Sequence, residues 1–174
     1  AEEAPPPLAT LAPERTVYIG GLSKSVATGL RVGFIAAPMA WVNGLERTIM
    51  ATTWNVPGVM SAIAVGWLED GTVTQLEAQK RADAQARQAL TAQVLTGVKT
   101  ISHPSSYFLW LPLAEDARAD QVAMTLQRAG ISVSTAEPFA VSAQVPHALR
   151  LALGSVPMAA LREALVKVRK VVVW

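Results

Sequence analysis

Two short runs of apolar and β-branched residues, 16–19 and 32–37, bracket a connection built almost entirely from Gly, Ser, Thr and small apolar side chains. That connection, Gly20-Gly-Leu-Ser-Lys24-Ser-Val-Ala-Thr-Gly-Leu-Arg31, carries two charges, Lys24 and Arg31, and both are positive. Runs of this kind read as strands and the Gly/Ser stretch as a turn, which restricts the segment to a strand–loop–strand unit. Such a loop is ordinarily a plain hairpin connection. Its lysine nevertheless has a chemical use. A neighbouring positive charge and partial burial both disfavour an ammonium ion, and a neutral amine attacks carbonyls.

The loop also suits a phosphate, through the hydroxyls of Ser23, Ser25 and Thr28, the glycine amides and the Arg31 guanidinium. An amine that condenses with a carbonyl beside a phosphate site points to pyridoxal phosphate (PLP). The order of residues sharpens this. The run Gly20-Gly21-Leu22-Ser23-Lys24…Gly29-Leu30-Arg31-Val32-Gly33 resembles the S-x-S-K…GLRLG signature of fold-type I PLP enzymes, the class I/II aminotransferases. The resemblance implies that Lys24 forms the internal aldimine and that Ser23 and Arg31 bind the cofactor phosphate. One position departs: Gly21 stands where the signature has its first serine, which removes a hydroxyl from the phosphate site.

Composition narrows the rest. Hydrophobic residues make up 51% of the 174 and charged residues 16%, which excludes disorder for most of the chain. The mean hydropathy of +0.31 is high, and reads either as apolar surface meant for a partner chain or missing segment, or as an Ala/Val-rich genome. A net charge of +2 is too mild and too evenly spread for a nucleic-acid interface. With no cysteine and two separated histidines, His103 and His147, there is no metal-ligand pattern. Residues 51–68 are broken by Asn55, Pro57 and Gly58 and make a poor membrane span. No signal peptide precedes the four prolines of residues 1–14, so a cytoplasmic protein without a membrane partner is expected. Residues 1–14 read as an extended lead-in, and a start without methionine beside the most functional segment reads as a fragment.

Further on, helices are expected over about 39–50, from Pro57 to Leu68 and over 72–96, the last with Gly97 as its stop. The charges of that last helix, among them Glu77, Lys80, Arg81, Asp83 and Arg87, read as a solvated face. Strands are expected at 98–102, 107–113, 131–135 and 149–153, and helices at 118–129 and 157–168. Together they describe an α/β unit with helices on one sheet face. The five tryptophans read as core or interface, and His103 as a loop residue.

Arg150 lies within the apolar run Ala148-Leu-Arg-Leu-Ala-Leu153, where a guanidinium needs an anion, water at a sheet edge, or a carboxylate such as Glu163. In class I/II aminotransferases an arginine in the corresponding C-terminal strand grips the substrate α-carboxylate, and Arg150 matches it by flanking pattern. The resemblance covers residues 15–172. Later segments look most like MocR-type regulators of the GntR family: Trp67-Leu-Glu-Asp-Gly71, Arg87-Gln-Ala-Leu90, His103-Pro104 with Phe108-Leu-Trp-Leu-Pro112, Gly130-Ile-Ser-Val133 with Phe139, and Leu149-Arg-Leu-Ala-Leu-Gly154. In those proteins an aminotransferase-like domain follows a winged-helix DNA-binding domain.

The implied fold class is α/β, the C-terminal part of a fold-type I PLP-transferase. It divides into a lead-in (1–14), the end of the large PLP-binding domain's sheet (15–70), a connecting helix (71–97) and a small α+β domain (98–174). The family's glycine-rich phosphate turn, ring-stacking aromatic, Asn and pyridine-protonating Asp lie upstream of its lysine, and none is assigned within this chain. The implied partners are an amino acid or other amine, a second copy in a homodimer, and DNA through an upstream domain absent from this chain. A free-standing class I/II aminotransferase and a non-catalytic fragment without cofactor remain alternatives.

Overall fold

A computed structural model describes residues 5–154 and 156–173. The chain divides into two units, Ala1–Ala78 and Gln79–Trp174, with the boundary inside its longest helix.

In the first unit Pro7 caps a single helical turn, α1 (Leu8–Leu11), so the described part of the lead-in is not wholly extended as expected; residues 1–4 lie outside the described residues. The Thr16 hydroxyl donates back to the Ala12 carbonyl at 2.8 Å. That bond ties Thr16 to the lead-in, and the first strand starts two residues later than the composition suggests. Strands β1 (Tyr18–Gly21) and β2 (Gly33–Ala36) pair antiparallel, with Gly20 opposite Phe34 and Gly21 opposite Gly33.

Their connection is more structured than a loop. It holds a helical turn, α2 (Leu22–Ser25), and a 3-10 turn at Thr28–Leu30. Helices α3 (Met39–Thr52) and α4 (Gly58–Glu69) follow. Asn43 and Gly44 do not break α3: both are exposed, and an exposed helical glycine costs only about 1 kcal/mol.

This unit's core is small. Leu22, Val26 and Leu30 from the connection pack with Ala64 of α4 and with Val73 at the start of α5 (Thr72–Val94). Elsewhere its apolar side chains stand open: Tyr18, Ile19, Phe34 and Ile35 on the hairpin, and Met39, Trp41 and Met50 on α3, a helix with no buried residue.

The second unit is a four-stranded antiparallel sheet, ordered β3 (Ile101–Ser102), β4 (Phe108–Pro112), β6 (Ala148–Ala152) and β5 (Ser134–Thr135). Helices α6 (Ala119–Arg128) and α7 (Met158–Val172) and the end of α5 supply its core partners. Alternation along β4 and β6 points Leu109, Leu111, Leu149 and Leu151 into that core, against Leu90, Leu126, Leu161 and Leu165. The opposite face carries Phe108, Trp110 and Arg150.

Not all of α5's charges form a solvated face. Arg87 donates through Nη1 to the carbonyls of Leu153 (2.8 Å) and Val156 (2.7 Å), and through Nε to Asp83 (2.8 Å). The Tyr107 hydroxyl lies 2.8 Å from Asp83 Oδ2 and 3.0 Å from the Lys80 carbonyl; its single proton goes to the charged acceptor. The hydrogen bond from Arg87 holds the Asp83 carboxyl below its usual range, against partial desolvation and with help from Tyr107. Desolvation and the Asp83 carboxylate push the Tyr107 phenol up. The network ties α5 to one end of the β4–β6 pair, where the Leu153 N–H donates to the Tyr107 carbonyl.

None of the described tryptophans is a fully buried core residue, although Trp67 packs against the first unit's core. Trp41 and Trp54 are exposed, Trp67 and Trp110 are half-buried, and Trp174 lies outside the described residues. Among the described residues no helix is long and apolar enough to cross a membrane, and no group of three or more His, Asp or Glu is placed to hold a metal.

Candidate functional site

The connection between β1 and β2 is anchored from beneath. Leu22, Val26 and Leu30, four residues apart, are each buried to about 5% exposure or less. Ser23, Lys24 and Arg31 lie between and beyond these anchors, and the Lys24 and Arg31 side chains stand at the surface. The main chain is closed by Leu22 N–H donating to the Val32 carbonyl, and by Val26 and Ala27 N–H donating to the Leu22 carbonyl.

Arg31 adopts a left-handed backbone conformation, φ 51° and ψ 28°, which costs a side-chain-bearing residue about 1–2 kcal/mol. Glycine would sit there without that cost. Trp54, at φ 66°, is the other described side-chain-bearing residue with a positive φ.

Gly20 is fixed by close approach, since a Cβ there would lie 2.5 Å from the Phe34 ring and 2.9 Å from that of Tyr18. At Gly21 a Cβ would come within 3.2 Å of the Val32 carbonyl oxygen, so the missing serine matches a tight backbone.

The partial burial expected for Lys24 is not met on this chain; Ser23 is half-buried, and Lys24 and Arg31 are exposed. Among the described residues neither cation has a hydrogen-bond or ion-pair partner, nor does the Ser23 hydroxyl. The donor set still fits PLP: an uncommitted amine for an aldehyde, with a guanidinium and a hydroxyl for a phosphate dianion.

Arg150 sits in the second unit on β6, opposite Trp110 of β4 and Ser134 of β5. It is on an interior strand, so the sheet-edge reading is corrected, and no carboxylate pairs with it among the described residues. Its guanidinium carbon lies 4.8 Å from the centroid of the Phe108 ring and 4.6 Å from that of Phe139. Phe139 in turn meets Trp110 edge-on at 6.1 Å.

Arg150 Nε is enclosed without a hydrogen-bond partner. An orphaned donor costs about 1–3 kcal/mol, and two cation–π contacts return about 0.5–2 kcal/mol each, so the rings offset it. The arrangement holds a ready, unneutralised guanidinium on an open sheet face.

The aromatic partners were not visible in the sequence as a cluster. They come from two separate elements, β4 and the 3-10 turn Glu137–Phe139, and only the register brings Phe108 and Trp110 beside Arg150. His103 behaves as a loop residue, its Nδ1 accepting the Ser105 N–H at 3.1 Å.

An anchored strand–turn–strand presenting a lysine and an arginine, and a four-stranded sheet packed on its helices, define an α/β architecture. Residues 1–168 match the family model "Aminotransferase class I and II", and the chain belongs to that family. The solved structure of LysN, α-aminoadipate aminotransferase from Thermus thermophilus, complexed with N-(5'-phosphopyridoxyl)-L-leucine, superposes with a TM-score of 0.85. At 17% identity it covers 99% of this chain and 46% of its own, and so shares the fold.

Among curated relatives, arginine–pyruvate transaminase AruH of Pseudomonas aeruginosa is 32% identical over 160 residues, which is 87% of this chain and 39% of AruH. The uncharacterized HTH-type transcriptional regulator YdeF of Bacillus subtilis is 24% identical over 142 residues, 82% of this chain and 31% of YdeF. The chain thus spans about a third of the length of these relatives.

Proposed function

We propose that this chain is the PLP-binding, C-terminal part of an aminotransferase-like domain, and that the intact protein is a transcription regulator of the MocR/GntR type. The observation that carries the cofactor assignment is the anchored turn: three buried side chains fix the connection that carries Ser23, Lys24 and, in a left-handed backbone conformation, Arg31. Lys24 Nζ is the attachment point and, once released, the atom that takes and returns a proton. Ser23 and Arg31 hold the phosphate, and Arg150 takes the carboxylate of the incoming amino acid. When bound, PLP supplies an aldehyde for the amine and an electron sink for the carbanion.

The regulator assignment draws on the later sequence segments and on the name of the YdeF relative. The higher identity to AruH favours a second reading, a free-standing aminotransferase. An upstream winged-helix segment in the full reading frame supports the regulator, and its absence supports the enzyme. The proposed division places residues 15–70 in the large domain, 71–97 in a connecting helix and 98–174 in the small domain. A homodimer agrees with the open apolar side chains of α3 and the hairpin.

The test is titration of the chain with PLP, read by absorbance near the visible edge, for the natural sequence and for Lys24→Ala. A saturable new band lost in the variant supports the assignment. Identical spectra return Lys24 to the surface lysines, and the lack of a new band in either protein leaves a fragment that binds no cofactor.

A further inference from the structure

The face of the four-stranded sheet that carries Arg150 has an unusual chemistry. Strand positions that share it with Arg150 are Ile101, Phe108, Trp110, Pro112, Ser134, Ala148 and Ala152, and none is charged. The face is therefore apolar and partly aromatic, with one cation at its centre. A carboxylate with a second charge finds no second partner among these positions, whereas an aromatic body meets Phe108, Trp110 and Phe139.

The rings also decide how the guanidinium is offered. A guanidinium engages a carboxylate side-on, through Nε and one Nη, or end-on, through both Nη groups. Here Nε is enclosed and unpartnered, while the Nη groups have no partner among the described residues and are the nitrogens left open. Phe108 and Phe139, whose rings lie under the guanidinium at 4.8 and 4.6 Å, hold it in that presentation.

We infer that this face selects a monocarboxylate with an apolar or aromatic body, gripped end-on by Arg150, with Phe108 and Phe139 as its positioning residues. This rests on the assignment of Arg150 to carboxylate binding and names the class of molecule it takes.

The experiment follows the arginine side-chain N–H resonances of the 15N-labelled chain, with Arg150→Lys to assign them. The probes are acetate, succinate and 3-phenylpropanoate. 3-Phenylpropanoate is expected to bind about tenfold tighter than acetate, and succinate no tighter than its two identical ends allow. The Nη signals should move and Nε should not take a new hydrogen bond.

Phe108→Leu and Phe139→Leu should each weaken binding about fivefold. Both side chains are nearly half exposed, at 45% and 47%, so their loss does not hollow the core. Phe108→Tyr and Phe139→Tyr should restore affinity, which a general loosening of the sheet would not allow.

Tightest binding by succinate, a hydrogen-bonded Nε, or Leu variants equal to the natural chain each overturn the inference while leaving Arg150 a carboxylate site. If no probe moves the Arg150 signals, the carboxylate assignment itself falls, and the inference with it.

Discussion

In residues 79–174 an antiparallel sheet has found its partners, and in residues 1–78 one has not. Strands β4 and β6 are each paired on both sides, and their inward leucines, Leu111 and Leu149 among them, are fully buried. The hairpin β1–β2 stops at two strands, and Ile19 is 75% exposed. Isolated two-stranded sheets are marginal in water. The buried part of the first unit is therefore not its sheet but the turn that carries Lys24. Its side chains are spent on fixing a loop, and those of the second unit on fixing a platform beneath Arg150.

The largest effect that can break this contrast is in the second core. Leu111→Ala should cost about 3–5 kcal/mol in denaturant unfolding, while Ile19→Ala should change stability by no more than about 0.5 kcal/mol. Comparable losses at the two sites would remove the distinction between the units.

Next comes Leu22→Ala, expected to cost about 2–3 kcal/mol and to speed hydrogen exchange at the Val26 and Ala27 amides, which bond to its carbonyl. Unchanged exchange there would mean that the anchors do not hold the lysine turn. Arg87→Ala should cost about 2 kcal/mol, because it strands the Leu153 and Val156 carbonyls and leaves Asp83 with Tyr107 alone.

How much of this was legible in the sequence follows from the range of the interactions involved. Helices α3 to α7 and the strands of the second unit follow from periodicity, from Gly71 and Gly97 as helix stops and from proline at helix starts, all local signals, whereas the strand order and register are not. The turn at Leu8–Leu11 was hidden by its prolines, which cap the helix from outside rather than break it. Lys24, Ser23 and Arg31 stood out because they share one short connection. The strain at Arg31 did not, since nothing in residue order distinguishes a left-handed arginine from an extended one. Asp83 and Arg87 looked like solvated helix charges because their partners lie about 20 and 70 residues away. Phe139 is nearer to Arg150 in the chain, but it lies on a separate turn whose packing residue order does not show.

The smallest expected effect is a pH dependence. The Asp83 pKa is lowered from 3.8 by Arg87, so its contribution is complete above pH 4 and fades as pH falls through the lowered value. The gap in melting temperature between the natural chain and Asp83→Asn should shrink below pH 4; a gap that widens there would reverse the sign of that interaction.

Treatment of the chain with coenzyme and borohydride, followed by peptide mapping, addresses the lysine head-on, because four other lysines compete for the label. One modified peptide containing residue 24, with labelling that weakens when Arg31 becomes Ala, is the outcome expected of a built site. Label scattered across all five lysines in proportion to their exposure would contradict it.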